Sequence, residues 1–326
     1  MGGRGRGVAG TALAQGPVVR ASDRAVSLLV RGTVAGLRAL SWEWARAAGE
    51  RMGDGARGLG LRRRVAQENL ALAFPQWSAA ERERVLREHY RELGRVVAEY
   101  AHLDRLARAP VGEVFVEMAG IEVLERLRGR GAILLSGHYS NFELMGATVA
   151  RLNPVDFLVK PLSNAGVERL IAGRRAEAGV GCISTSDGTR GVYQALAAGR
   201  WVAILADQDA RQRGLFVPFF GRPASTAAGP ARMSLKTGAP IVMGFAMRRP
   251  DGRFDLQVEG PLEVAEPEAP DAVLRLTAHH VAVLEARVRA RPELWFWLHR
   301  RWKTRAPTSW PESGTVDPAS TGRRSA

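Results

Sequence analysis

The chain has 326 residues, enough for one large domain or two modest ones at about 150 residues per domain. Hydrophobic residues at 46% and charged residues at 25% are ordinary for a globular protein, which argues against general disorder, a collagen-like repeat and a polytopic membrane protein. Basic residues outnumber acidic ones 47 to 33, a formal net charge of +14, and such a surplus favours a polyanionic partner: nucleic acid, an anionic membrane or an acidic carrier protein. The lysines are Lys160, Lys236 and Lys303 alone, so the basicity is nearly all arginine, a bias assigned mainly to GC-rich coding. Cys182 is the sole cysteine, so neither an intramolecular disulfide nor a multi-cysteine metal site is available.

In chain order, residues 1–20 are basic and Gly-rich, lack the apolar core of a signal peptide, and read as disordered. No apolar run of about 18 uncharged residues occurs. Residues 24–48 come nearest, with Arg31 and Arg38 on one helical face, leucines elsewhere on the cylinder, and Trp42 and Trp44 at the end. That pattern suits a helix lying in the membrane interface, or an amphipathic helix packed on the domain. Residues 61–101 are expected to form two helices broken at Pro75, the second opened by a capping box of Ser78 and Glu81. Beyond Pro110, short apolar runs at 132–136, 155–159, 201–206, 241–248 and 254–260 alternate mostly with helical stretches at 142–152, 165–178, 188–198, 226–237 and 270–290. Thr226 reads as a helix N-cap. Alternation of this kind predicts an α/β fold: a central, largely parallel sheet flanked by helices, with an N-terminal helical membrane-associating region. The expected organisation is a helical membrane-associating region at 21–110 packed on an α/β domain at 111–305, and a disordered tail at 306–326.

The chemistry concentrates in SGHYSNFELMG, 136–146. A buried strand runs into Gly137 and His138, and a helix begins near Asn141, so His138 stands at a strand's C-terminal end, where α/β sheets place their ligands. Glu143 falls in the first helical turn and is expected to fold back to the imidazole, fixing its tautomer and leaving the other ring nitrogen free to take a proton. Asp207 follows another apolar strand directly and is placed near the same sheet edge, as a substrate-shaping or structural carboxylate. Arg211, Arg213 and Arg222 surround a tight VPFFG turn, and their forks suit phosphate groups. Phe219 and Phe220 are expected either in a channel or in the core. Near the C-terminus, Trp295, Trp297 and Trp302 with Arg300, Arg301 and Lys303 suit a headgroup interface, although some of the tryptophans should pack inward.

On these residues the chain resembles a known family. The H-x4-E of His138 and Glu143, within GRGAILLSGHYSNFELMG, is similar to the H-x4-D/E signature of the lysophospholipid-type acyltransferases. More narrowly, it resembles the late acyltransferases of lipid A biosynthesis, the lauroyl and myristoyl transferases. Supporting segments at 62–75, 120–127, 206–226, 237–242 and 291–303 extend the likeness over roughly 24–305. The family often has glycine and tryptophan where this chain has Ser140 and Phe142. The resemblance implies transfer of a fatty acyl chain from a thioester, of acyl carrier protein or of coenzyme A, to a hydroxyl of a lipid A precursor, with no metal or redox cofactor. It implies a site at the cytoplasmic face of the inner membrane, and His138 as general base oriented by Glu143. Arg175, in an N-x10-R-x3-G pattern with Asn164 and Gly179, falls where the family has a functionally important arginine; its guanidinium and the backbone N–H groups after His138 are the expected oxyanion donors. Arg175, Asp207, Arg211, Arg222 and Asn141 are expected to bind substrate. A superfamily acyltransferase acting on another glycolipid or lysolipid, such as a phosphatidylinositol mannoside, is the alternative. A basic nucleic-acid-binding protein is more distant, because the arginines are scattered and form no recognisable module.

Overall fold

The computed structural model describes residues 21–308 and 310; the expectations for 1–20 and for most of the C-terminal tail lie outside the described residues. The first third is helical: α1 (Ala21–Ala39), α2 (Trp42–Gly58), α3 (Arg63–Ala73), α4 (Ala79–Ala101), α5 (Leu103–Arg108) and α6 (Val111–Val114). The capping box expected before α4 is present in full, with Ser78 accepting from the Glu81 N–H and Glu81 accepting from the Ser78 N–H. The stretch 24–48 is two helices, because extended Ser41 breaks it and its side chain caps α2. One face of α1 buries Val34 and Leu37, and Arg38 forks onto Asp104, so that arginine is committed inward. The opposite face leaves Leu28 and Leu29 exposed. Gly49 and Gly53 on α2 lie against the backbone of Gly94 and Tyr90 on α4, an approach that a Cβ at either glycine would block.

The remainder is built on β1 (Phe115–Ala119), β2 (Ala132–Ser136), β3 (Val155–Val159), β4 (Gly181–Ser184), β5 (Trp201–Leu205), β8 (Ile241–Arg248) and β9 (Phe254–Glu259). They form one seven-stranded sheet in the order β1-β9-β8-β2-β5-β3-β4. All neighbours are parallel except β8 and β9, which are antiparallel. The connecting helices are α7 (Ile121–Arg126), α8 (Phe142–Val149), α9 (Ala165–Glu177), α10 (Arg190–Ala197), α11 (Gly229–Thr237) and α12 (Ala272–Ala290). The central strands read as continuous apolar runs because both faces are covered. Ile133 and Leu135 of β2 join one core and Ala132 and Leu134 the other.

Three features go beyond the sequence reading. β1 and β4 are the sheet's two edges and lie partly exposed; Glu117 interrupts the apolar run of β1, and β4 is only four residues long, so neither shows the buried apolar run of the inner strands. A separate hairpin pairs β6 (Leu215–Phe219) with β7 (Arg222–Thr226) across a two-residue turn, Phe220 and Gly221, both at positive φ. Pro218 and Pro223 face one another in this hairpin and disguise it, since proline counts against a strand. Thr226 therefore ends β7 and does not cap a helix; Ala228 occupies the N-cap of α11.

Candidate active site

His138 and Asp207 meet because β2 and β5 are parallel neighbours in register, with Ser136 opposite Leu205. Each residue stands two positions past its strand, at the C-terminal edge of the sheet. Gly137 makes the approach possible: a Cβ there would lie 3.0 Å from Asp207 Oδ2 and 2.9 Å from Leu284 Cδ1. Asp207 Oδ1 is 2.7 Å from His138 Nδ1 and its Oδ2 accepts the His138 backbone N–H at 2.7 Å. Trp295 Nε1 donates to the same Oδ2 at 2.9 Å. The carboxylate is 3% exposed and meets three donors. Burial alone drives its pKa up, but the imidazole's charge and hydrogen bond, the His138 backbone N–H and the Trp295 indole win and hold it at about 2. An ionised carboxylate on Nδ1 makes Nδ1 the donor and leaves Nε2 as the basic nitrogen. Burial opposes the imidazolium too, yet Asp207, and Glu143 behind it, raise the His138 pKa above its ordinary value. The Nε2 side looks toward Gln208, whose Nε2 is 3.5 Å away, and the ring packs against Phe142 and Phe296.

The expectation that Glu143 orients the imidazole is corrected. Its carboxylate faces α9 and takes both Nε and Nη2 of Arg175, at 3.0 Å and 2.5 Å for the shorter contacts. The reason is local: Asn141 caps α8 by accepting the Leu144 N–H at 2.9 Å, which fixes the helix and sends position 143 away from the ring. Arg175 is held cationic beyond its usual range by Glu143, against burial, and lies over the Phe157 ring. The N–H groups of His138, Tyr139 and Ser140 donate to Asp207, Gly137 O and Leu294 O, so these three are not free to serve an oxyanion.

The segment 294–297 carries contacts that sequence reading missed. Phe296 N–H donates to His138 O at 3.0 Å, and Tyr139 and Trp295 form a short antiparallel bridge. Trp295, Trp297 and Arg301 are fully buried, which rules out their use at a headgroup surface. The visible signal was Trp295 itself, an indole N–H that needs a partner once buried. Arg301 donates to Ser225 O and Thr226 Oγ1, and desolvation lowers its pKa to about 10. Phe219 and Phe220 belong to the core, against Trp295, Trp302, Phe74 and Trp297. Arg222 donates to Leu72 O and lines a separate cleft with Pro75 and Trp310, away from His138. Arg211 sits on an exposed turn at positive φ and does not line the groove that His138 does. Among the described residues no group of three or more His, Cys, Asp or Glu is placed to hold a metal ion.

His138 opens onto a groove walled by Lys160, Leu162, Glu168, Gln208 and Pro230. Six residues, Phe142, Leu158, Val159, Arg175, Ile204 and Leu205, line both this groove and an apolar cavity lying beneath α8. The cavity continues across the sheet to Leu124, Val149, Leu256 and Val258. A basic nitrogen thus stands on a largely apolar groove that carries a few charged side chains, and the Arg175 guanidinium lies where this groove meets the cavity.

This combination defines an α/β protein with a carboxylate-paired histidine at the sheet's C-terminal edge, beside an apolar cavity. The family model of the bacterial lipid A biosynthesis acyltransferases matches residues 15–304, and the chain belongs to that family, as an O-acyltransferase. It is 29% identical over 263 residues to a lipid A biosynthesis palmitoleoyltransferase of Escherichia coli K12, covering 79% of this chain and 84% of that protein. A lipid A biosynthesis lauroyltransferase of the same organism is 27% identical, with 75% and 80% covered. A phosphatidylinositol mannoside acyltransferase of Mycolicibacterium smegmatis is 24% identical, with 81% and 90% covered.

Proposed function

We propose that the protein transfers a fatty acyl chain from acyl-acyl carrier protein to a hydroxyl of a lipid A precursor, with His138 as general base and Asp207 as the carboxylate that orients it. The carrying observation is the Asp207–His138 pair at the mouth of the apolar cavity. A hydroxyl is a poor nucleophile until its proton is taken as it attacks. Neutral Nε2 accepts that proton while the hydroxyl oxygen bonds to the thioester carbonyl carbon; the carbon–sulfur bond then breaks and the thiolate leaves with the proton from the imidazolium. Asp207 stabilises the imidazolium between the two steps. Arg175 is the cation at the mouth and is assigned to the developing oxyanion, and Glu143 holds it there. The acyl chain occupies the cavity beneath α8, and Lys160 faces the acceptor's phosphate. The setting is the cytoplasmic face of the inner membrane, where the basic surplus meets anionic lipid and an acidic carrier protein; coenzyme A is the alternative donor.

The mannoside relative, similar over most of this chain, favours a second acceptor reading. Incubating the purified protein with lauroyl-acyl carrier protein and either a tetra-acylated lipid A precursor or a phosphatidylinositol mannoside separates the two by product mass. A lauroyl increment on the lipid A precursor is expected, lost in a folded His138→Ala variant. Transfer to the mannoside alone overturns the acceptor, and undiminished transfer by His138→Ala overturns the base.

A further inference from the structure

Between the imidazole and α8 lie Ser140 and Asn141, and both are tied to groups far away in sequence. Ser140 adopts φ of 44°, the left-handed region that side-chain-bearing residues avoid. Its N–H donates to Leu294 O at 2.7 Å, and its Oγ to Glu92 Oε1 at 2.7 Å. Asn141 Nδ2 donates to Glu99 Oε2 at 2.7 Å while its Oδ1 caps α8. Glu92 and Glu99, seven apart, share one face of α4. Arg248, at the end of β8, spans them: Nε meets Glu92 Oε2 at 2.5 Å, and Nη1 and Nη2 meet the two Glu99 oxygens at 2.5 and 2.7 Å. Glu92, Glu99 and Arg248 are 2%, 0% and 4% exposed.

Two carboxylates and one guanidinium are a costly way to hold a helix on a sheet, since apolar packing does so without desolvating charge. The triad retains a net negative charge, which Arg95, 3.6 Å from Glu92, offsets in part. What the charges supply over apolar packing is direction: each carboxylate spends one oxygen on the loop and is held by Arg248 while doing so. We infer that Glu92, Glu99 and Arg248 are positioning residues for acyl transfer, holding Ser140 in its left-handed turn and Asn141 on its cap so that His138 Nε2 and the first turn of α8 keep a fixed relation across the groove mouth. This inference rests on the reading of His138 as the base.

Ser140→Ala and Ser140→Gly each remove the Oγ bond and leave the Glu92–Arg248 pair intact, whereas changes at Arg248 risk the fold. With lauroyl-acyl carrier protein and a tetra-acylated lipid A precursor, both are expected to lower kcat about tenfold, the order of loss that slight misplacement of a reacting group brings, with KM for either substrate within about twofold. Glu92→Gln is expected to lower kcat as well, and its effect combined with Ser140→Ala to be less than the product of the two, because one bond is removed twice. Thermal unfolding is followed in parallel. A lowered Tm with unchanged kcat per folded molecule, or kcat losses that multiply in the double variant, overturns the inference. His138→Ala runs beside these: inactive His138→Ala with fully active Ser140 variants overturns the positioning role alone, and active His138→Ala overturns the base itself.

Discussion

Two carboxylates lie close to His138, and the geometry gives them different partners: Asp207 takes the ring and Glu143 takes Arg175. Replacing each therefore has a different signature. Asp207→Asn keeps an acceptor for Nδ1 but removes the charge that raises the His138 pKa, so the imidazole loses its proton at a lower pH. With His138 as the proposed base, transfer by the wild type is expected to need neutral imidazole and to fall as pH drops through a value above 6.5; in Asp207→Asn this acid limb is expected to move to lower pH while kcat falls roughly a hundredfold or more. Glu143→Gln leaves Asp207 on the ring and moves the limb less, its loss coming from an unpaired Arg175. Stability carries the opposite sign: the raised pKa stabilises the fold below about 6.5, and that contribution is lost as pH rises through the folded value. pH–rate profiles of the three proteins check this, and a larger shift in Glu143→Gln than in Asp207→Asn contradicts the assignment. The sequence made His138 legible as a strand-end histidine and placed Asp207 at the same edge. It misled over the carboxylate because only four residues of chain separate Glu143 from His138, which suggested a local pair, whereas the actual partner came from a strand register, Ser136 beside Leu205, that one sequence does not display.

The elements most legible were those whose pattern is local. The Ser78–Glu81 capping box, the inner strands β2, β3, β5 and β8, and the glycine stop at Gly238 rest on residues within a few positions of one another. Edge strands and the proline-bearing hairpin carry no such pattern. The cavity beneath α8 is of the second kind, since its walls come from five strands and three helices. Its mouth is formed by α8, α9, β3 and β5, and its deeper wall by α7, β8 and β9, including Val258. An acyl chain gains about 0.8 kcal/mol per buried methylene, so with the chain seated there as proposed, the depth of the cavity is expected to set which chain binds best. Val258→Phe removes space worth about two methylenes and is expected to shift preference toward shorter chains by about tenfold, and Val258→Ala toward longer ones. Competition among acyl-carrier-protein thioesters of graded length, read by product mass, tests the placement. An unchanged length profile in both variants means that the chain does not reach β9.

At the scale of the whole molecule, the net charge of +14 is distributed unevenly between inside and outside. Arg38, Arg175, Arg200, Arg248 and Arg287 are paired with Asp104, Glu143, Asp156, Glu92 with Glu99, and Glu259, so these cations serve the fold or the site. Among the described residues no helix is long and apolar enough to cross a membrane. We propose that contact with a bilayer falls on α1 and α2, which present exposed apolar groups: Leu28 and Leu29 are 69% and 70% exposed, and Trp44 is 70% exposed. α1 is tied to the N-cap of α9 by Ser27, which donates to Asn164 at 2.8 Å, and α9 carries Arg175 at the groove mouth, so a hydrogen bond joins this helix to the one that bears Arg175. Full burial of a leucine is worth about 1.5–3 kcal/mol, and each surface arginine near anionic lipid adds about 1 kcal/mol. Since insertion among headgroups is partial, Leu28→Ser, Leu29→Ser and Trp44→Ser combined are expected to weaken binding to phosphatidylglycerol-containing vesicles ten- to a hundredfold. The binding that remains should disappear as salt is raised, because screening acts on the arginines and not on the apolar groups. Turnover of a detergent-dispersed acceptor should persist, since none of the three residues lines the groove or the cavity. Vesicle sedimentation at two salt concentrations measures both terms. Unchanged binding in the triple variant places the membrane contact elsewhere on the molecule, and loss of turnover in detergent together with binding makes these side chains part of the fold.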